Sequence, residues 1–279
     1  MSVVDNEYPG AGRRVAVLQR VLPSGSYAGL ARRLVERSAL LYARAWMVLL
    51  SGIFEPLFYV LAFQIGFGSL VPVVTGPGGV QLSYVAYVAP ALLVASAMNG
   101  AVSETMSMFY KLRFDGLYDS VLATPLGTYD VALGELSWTV LRSGLYAVAF
   151  FAVMAVMGLV TTPWALLLVP VALLVAMAFA AVGMVCATLL RSSAQFEYIH
   201  LIVVPMFLFS GTFFTVDRYP LPLRLIAELS PLYHGVELAR GFSVGVLGPA
   251  MLGHVAYLVA LTAAGLYGTS RRIGKLLLN

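Results

Sequence analysis

Residues 163–189 read PWALLLVPVALLVAMAFAAVGMVCATL, an apolar run that contains no charged side chain. A helix needs about 20 residues of this kind to cross the hydrocarbon core of a membrane. The composition of the whole chain agrees with this run. Of its 279 residues, 60% are hydrophobic and 11% are charged, whereas soluble proteins carry roughly 25% charged residues. The sequence therefore predicts an integral membrane protein.

Five more stretches are long and apolar enough to cross a membrane, so six spans are predicted in all. The fifth span is short, and its end is polar. The predicted fold is an all-α integral membrane protein with a transmembrane domain over residues 46–268. The six predicted spans are residues 46–68, 84–106, 136–160, 163–189, 199–215 and 249–268.

The positions of the basic residues predict the orientation of the spans, because Lys and Arg collect on the cytoplasmic side. Seven arginines precede the first span, whereas the predicted outer loops at 69–83 and 161–162 contain no Lys or Arg. We therefore expect a cytoplasmic N-terminal tail at 1–28. Six crossings return the chain to the same side, which makes 269–279 a cytoplasmic C-terminal tail.

Residues 29–45 alternate basic and apolar side chains with helical spacing. This pattern predicts an amphipathic helix that lies along the cytoplasmic membrane surface. The helix can serve as a simple anchor on anionic lipid. It can also serve as an elbow that leads into the first span and touches a cytosolic partner. The two roles are compatible.

A short apolar face is predicted in the cytoplasmic segment between spans two and three. Asp115 can cap a helix that ends before Pro125. Exposed apolar faces need a partner surface, and here either a groove on another protein or the chain's own helix ends could provide it. The apolar face comprises Leu117, Tyr118, Val121 and Leu122.

The segment 217–248 between spans five and six is too apolar for a free loop. Its prolines separate two short helical patterns, at 223–229 and 232–242. Neither pattern is long enough to span a membrane. Because irregular backbone is not tolerated against lipid, we expect re-entrant or interfacial helices on the outer side.

No catalytic or cofactor motif is present in the sequence. The stretch from Gly268 to Lys275 differs from a phosphate-binding loop in spacing and lacks the Ser or Thr that contacts magnesium. The three histidines show no metal-ligand spacing, and we expect them to be isolated. The chain is therefore not expected to be an enzyme, and ATP-driven transport would need a separate motor.

Two charged residues lie at similar depth within predicted spans. Glu55 lies in span one and Arg142 in span three, each within about ten residues of its cytoplasmic end. A charge inside a span costs about 2.5–3.5 kcal/mol on insertion scales, so we predict that they pair. Alternatively, Glu55 is protonated, or each side chain lines water alone. Glu104 and Glu135 lie nearer helix ends, where solvent or Lys and Arg can neutralise them.

Four stretches of the sequence resemble the ABC-2 family of ATP-driven exporter permeases, particularly its nodulation-factor exporter branch. One of them, PLYHGVELARG, is similar to the family's proline–histidine–arginine signature, carried here by Pro231, Leu232, His234 and Arg240. The four stretches are APALLVASAMNGAVSET (89–105), LATPLGTYDVALGELSW (122–138), FLFSGTFFTVDRYP (207–220) and PLYHGVELARG (231–241).

The resemblance implies a bacterial inner-membrane complex of two permeases, identical or homologous, on two cytosolic ATPase subunits. The ATPases would bind ATP and Mg, so the permease itself would need no cofactor, and its other partner would be membrane lipid rather than nucleic acid. The resemblance also implies that 114–124 is the coupling helix and that 217–248 closes the pathway on the outside. Family substrates include lipo-oligosaccharides, polysaccharides, lipids and hydrophobic drugs.

The leading hypothesis is therefore the transmembrane permease subunit of an ABC exporter. A membrane-embedded lipid-modifying enzyme that uses the outer acidic residues is one alternative, but a convergent set of catalytic groups is missing. A proton-coupled carrier that uses Glu55 is another, although such carriers have repeated halves, and no internal repeat is visible.

Overall fold

The computed structural model describes residues 46–67, 73–115 and 127–277. The predicted elbow helix at 29–45 lies outside the described residues. So does the apolar face of the coupling segment, as we call the predicted coupling helix at 114–124. In chain order, the helices are α1 (Trp46–Phe67), α2 (Tyr84–Arg113), α3 (Thr128–Val156), α4 (Leu168–Leu189), α5 (Glu197–Phe209), α6 (Leu221–Leu229), α7 (Pro231–Val244) and α8 (Ala250–Leu277).

Four helices in the described part of the chain are long and apolar enough to cross a membrane. They are α2, α3, α8 and the unit formed by α4 with the 3₁₀ turn before it, Pro163–Leu189. Four of the six predicted spans are thus confirmed as membrane-length helices. The other two correspond to α1, with 22 residues, and α5, with only 13. For these two, the crossing of the membrane stays a prediction.

Three of the long helices extend beyond their predicted spans. The helix α2 continues to Arg113 rather than ending at 106. The helix α3 begins at Thr128, eight residues before the predicted start, and the Asp130 carboxylate accepts a 2.9 Å hydrogen bond from the Gly127 amide at its N-terminus. The helix α8 continues to Leu277 rather than ending at 268. Hydropathy detects only the part of a helix that lies in hydrocarbon, and these extensions carry polar residues.

The centre of the molecule is α4, which packs against α2, α3, α7 and α8. Its buried face is rich in alanine, which lets neighbouring helices approach closely. The contact with α8 is tightest at Gly265, where an added Cβ would lie 2.7 Å from Ala181. The helix α1 joins this bundle through Phe63, whose ring lies 6.0 Å from that of Tyr84 on α2.

The connection before α2 departs from the all-α prediction. It contains a two-stranded antiparallel hairpin, β1 (Val74–Thr75) and β2 (Gln81–Leu82), in which Val74 is paired with Leu82. The 3₁₀ turn Pro77–Gly79 joins the two strands. The hairpin ends at Ser83, whose hydroxyl accepts a hydrogen bond from the Ala86 amide and so caps α2.

The two short helices predicted within 217–248 are confirmed as α6 and α7. The helix α6 begins two residues earlier than predicted, and α7 begins one residue earlier and ends two residues later. Proline stands in the first turn of both helices, where its missing N–H costs nothing. The helix α7 ends at Gly245, which has a φ of +78°, the left-handed conformation that glycine adopts without strain.

Candidate functional site

The helix α7 lies directly on α2 and α4, because a glycine removes the side chain at the contact. A Cβ added to Gly235 would lie 2.8 Å from a methyl carbon of Val94 on α2, and Val175 on α4 would be closer still. On the same helix, Leu232 is fully buried. The two apolar contacts fix the position of α7 and of the polar residues on it.

Arg240 is buried in this layer, with only 3% of its surface exposed. Its guanidinium donates hydrogen bonds to three backbone carbonyls. Nε donates to Tyr87 at 3.3 Å, and Nη2 donates to Gly211 and, at 2.9 Å, to Thr212. The side chain thus joins α7 to α2 and to the turn that follows α5. We call this set of contacts the Arg240 clamp.

The charge of Arg240 is balanced by its surroundings. Its guanidinium carbon lies 3.8 Å from the centre of the Tyr87 ring, and the Glu237 carboxylate is 3.8 Å from Nη1. Burial lowers the pKa of the Arg240 guanidinium, and Tyr87 and Glu237 oppose that shift. Because an arginine pKa normally exceeds 12, the group stays charged and keeps its donors.

A cavity of about 370 Å³ opens beside the clamp, between α7, the 3₁₀ turn Val216–Arg218 and the hairpin. This volume is within the range of small-molecule sites. Three carboxylates and two tyrosine rings line its wall, and it therefore offers both charged acceptors and aromatic faces. The wall includes Asp217, Glu228, Glu237, Tyr87, Tyr233 and Arg240.

Arg224 on α6 orders part of this wall. Its guanidinium lies 3.2 Å from Asp217 and 2.7 Å from Glu228. Burial, and after it the negative charges of Glu237, Glu228 and Asp217, raises the pKa of Tyr233 to about 12. The Tyr233 hydroxyl is therefore protonated at neutral pH and can donate a hydrogen bond.

Two histidines that were expected to be isolated lie in contact. Nδ1 of His234 on α7 is 2.6 Å from Nδ1 of His254 on α8. The ring of Tyr257 covers His234, with centres 4.0 Å apart, and the Tyr257 hydroxyl donates to the carbonyl of Leu229 at 2.6 Å. The expectation of isolated histidines is wrong for this pair, because the turn between α7 and α8 brings them together. In the described part of the chain, no three His, Cys, Asp or Glu side chains converge for a metal ion.

At the opposite end of the bundle, two ion pairs connect α2 and α3. Arg142 pairs with Glu104, and Lys111 pairs with Glu135 at 2.8 Å. Both glutamates are buried, with 6% and 7% of their surface exposed. Glu104 and Glu135 were expected to be solvated or paired with nearby basic residues, and the paired alternative is correct. We call these contacts the α2–α3 ion pairs.

Arg142 has further polar contacts at this level. Its Nε donates to the Tyr146 hydroxyl at 3.1 Å. Its predicted partner, Glu55, belongs to α1, but the side chain of Glu55 lies outside the described part of the structure. The Glu55–Arg142 pair therefore stays a prediction. The observed partner of Arg142 is Glu104, which the depth of the residues along their spans did not indicate.

Residues 30–242 match the ABC-2 type transporter family. This match covers most of the chain, including α1 to α6 and nearly all of α7. The chain belongs to the ABC-2 type transporter family. The members of this family are membrane components of transporters, which agrees with the resemblance found in the sequence.

Curated relatives extend the match beyond the family model. The permease is 33% identical to Nodulation protein J of Rhizobium leguminosarum bv. trifolii over 238 residues, which is 84% of each chain. It is 31% identical to the protein of the same name from R. leguminosarum bv. viciae, over 83% of this chain and 85% of the relative. Nodulation protein J of Sinorhizobium fredii is 31% identical to the permease, over 78% of this chain and 79% of the relative.

Membership of the family carries three conclusions for this ABC-2 permease. It is a multi-pass protein of the bacterial inner membrane, it is a transporter component and not itself an enzyme, and the family implies partnership with an ABC ATPase. The signature residues Pro231, Leu232, His234 and Arg240 all lie on α7. The coupling residues Leu117, Tyr118, Val121, Leu122 and Pro125 lie outside the described residues.

Proposed function

We propose that this permease is the transmembrane subunit of an ATP-driven exporter. Its cargo would be an amphipathic molecule of the lipid-linked, oligosaccharide or hydrophobic drug-like class, moved out across the cytoplasmic membrane. The observation that carries this proposal is the similarity to Nodulation protein J over 84% of both chains. The match to the ABC-2 type transporter family, over residues 30–242, includes Arg240 and the α2–α3 ion pairs.

In this proposal, a separate ABC ATPase supplies the energy. The permease has no phosphate-binding loop, and its segment 114–124 would be the coupling helix that docks on the ATPase. The α2–α3 ion pairs support this role, because they connect the two helices that flank the segment. A movement imposed on the segment would then reach both helices together.

The outer helices α6 and α7 would form a gate over a pathway between two permeases, identical or homologous. Their position supports a gate, because α7 is anchored to α2 by the Arg240 clamp while α6 presents exposed apolar side chains. Those side chains are Leu221, Leu225, Ile226 and Leu229. With the termini in the cytoplasm, as the basic residues predict, this layer is on the outer side.

Reconstitution tests the proposed export. The permease would be co-expressed with a candidate ABC ATPase, purified, and placed in vesicles with a fluorescent lipid-linked oligosaccharide. We expect the ATPase to co-purify and the label to cross the membrane only with ATP and Mg²⁺. A complex whose ATPase carries an inactivated catalytic glutamate is the control. Transport that continues without ATP hydrolysis would contradict the proposal.

Cross-linking tests the gate separately. After Cys186→Ala removes the native thiol, a single cysteine at His234 or at the nearby exposed Leu229 should form a disulfide between two permeases in the resting state. Export should stop while the bridge is closed and resume after reduction, with the ATPase still bound throughout. Full export with the bridge closed would reduce α6 and α7 to a structural cap.

A further inference from the structure

The contact between His234 and His254 restricts the protons that the two rings can carry. At 2.6 Å, the two Nδ1 atoms are separated by a hydrogen-bond distance. One nitrogen must donate a proton and the other must accept it with a lone pair. Each neutral imidazole has one nitrogen of each kind, so two neutral rings satisfy the contact.

The contact tolerates one additional proton but not two. If one ring becomes an imidazolium, its Nδ1–H still donates to the lone pair of the other, and the charge strengthens the bond. If both rings are protonated, two N–H groups and two positive charges face each other at this distance. The two rings then cannot form a hydrogen bond with each other, and they must move apart.

Aromatic rings surround His234 in the described part of the chain. They belong to Tyr233, Tyr257 and His254. The charged groups of Glu237 on α7, Arg224 and Glu228 on α6 and Asp217 in the turn before α6 act on the neighbouring Tyr233. Burial, and after it the charge of His254, lowers the pKa of His234 to about 4.

We infer that His234 and His254 form a proton-operated latch between α7 and α8. With at most one added proton, the latch holds the start of α7 against α8, and the second proton releases it. Gly235 stays packed on α2 and α4, and Arg240 stays in its clamp. Release would therefore move only the start of α7 away from α8 and break the hydrogen bond from Tyr257 to Leu229. The cavity wall would then change at Tyr233. In the proposed topology this layer faces the outer side, so the outer pH would operate the latch, and this point alone rests on the proposed function.

The sign of the pH dependence follows from the pKa of His234. This pKa is lower in the folded protein than the ordinary histidine value of 6.5. The unfolded chain therefore binds more protons between pH 6.5 and 4. The contribution of the pair to stability is complete above pH 6.5 and is lost as the pH falls through about 4.

Distance measurements on the permease alone test the latch. Spin labels would be placed at Leu229, just before α7, and at Leu252 on α8, both exposed, in a Cys186→Ala background. In lipid nanodiscs that each hold a single permease molecule, we expect one short, narrow distance at pH 7.5. At pH 4 we expect a longer and broader distribution. No ATPase or cargo takes part, so a failure of the proposed export would leave these distances unaffected.

Two variants separate the latch from a general effect of acid. His254→Asn places an amide oxygen near the position of Nδ1. This oxygen accepts a hydrogen bond from His234 in either charge state of that ring, and the asparagine cannot take up the second proton. The distance should therefore stay short at both pH values. His254→Leu removes the hydrogen bond and should give the long distance at both. His200→Gln, on α5, should behave as the native chain does. Opening of the Asn variant at pH 4, or a native distance that does not change with pH, would overturn the inference.

Discussion

Glu104 of α2 and Arg142 of α3 form a buried ion pair seven residues along each helix from a second pair, Lys111 with Glu135. The two pairs have opposite polarity, with the acid on α2 in the first and on α3 in the second. If the antiparallel helices slipped by two turns, Glu104 would face Glu135. The α2–α3 ion pairs therefore select one register as well as offsetting the cost of burial.

Removal of one partner should cost more than removal of both. Because an uncompensated buried charge remains, Glu104→Gln or Arg142→Met should each lower the free energy of unfolding by about 3–5 kcal/mol, and the double variant should recover much of that loss. Unfolding in mixed micelles measures the free energy of unfolding of each variant. The half-exposed pair Arg224–Glu228 is the control, and Glu228→Gln should cost about 0–1 kcal/mol. Additive losses at Glu104 and Arg142 would show that they do not act as a pair.

Glu55 is predicted to be a second acid near Arg142. A double-mutant cycle of Glu55→Gln with Arg142→Met should then give a coupling energy of more than about 0.5 kcal/mol. The same cycle with Lys111→Met, whose partner is Glu135, is the control and should be additive. Additivity with Arg142 as well would favour the alternatives, in which Glu55 is protonated or lines water alone.

Two glycines of α8 should respond to alanine in opposite directions. At Gly265 a Cβ would lie 2.7 Å from Ala181, so Gly265→Ala must push α4 and α8 apart, and we expect a loss of about 1–3 kcal/mol. At Gly253 there is no atom within 4 Å of an added Cβ. Gly253→Ala should therefore be neutral, or stabilising by up to about 1 kcal/mol. Thermal unfolding of both variants measures the difference, and equal effects would contradict the close packing of the two spans.

We expect that lysine cannot substitute for Arg240, although it keeps the positive charge. Its ammonium lacks the planar fork that reaches the carbonyls of Tyr87, Gly211 and Thr212 together. Each buried carbonyl left without a donor costs about 1–3 kcal/mol. Arg240→Lys should therefore destabilise the permease and expose the turn after α5 to protease, whereas Arg218→Lys on the exposed surface should change neither. A native cleavage rate in the Arg240 variant would show that the clamp does not stabilise this turn.

The four membrane-length helices were predictable because a helix in hydrocarbon must be apolar along its length, and residues 163–189 show this directly. The helices α6 and α7 were predictable from proline positions. Glu104 was not predictable as the partner of Arg142, because depth along a span does not show how each helix is rotated. The His234–His254 contact was not predictable either, because it depends on the turn at 245–249 and not on any spacing within one helix.

The coupling segment provides the last test, because its sequence has an apolar face whose partner is still to be found. Tyr118 and Leu122 are one turn apart on the predicted helix, and docking on an ATPase would bury both. Tyr118→Asp with Leu122→Asp should abolish co-purification of the ATPase and its stimulated ATP hydrolysis, while the amount of permease in the membrane stays unchanged. Ser120→Asp, on the opposite side of the same helix, adds a charge without touching this face and should leave the complex intact. If the face instead packs on the chain's own helix ends, the double variant will lower the stability of the isolated permease, and the ATPase will still bind to the molecules that remain folded.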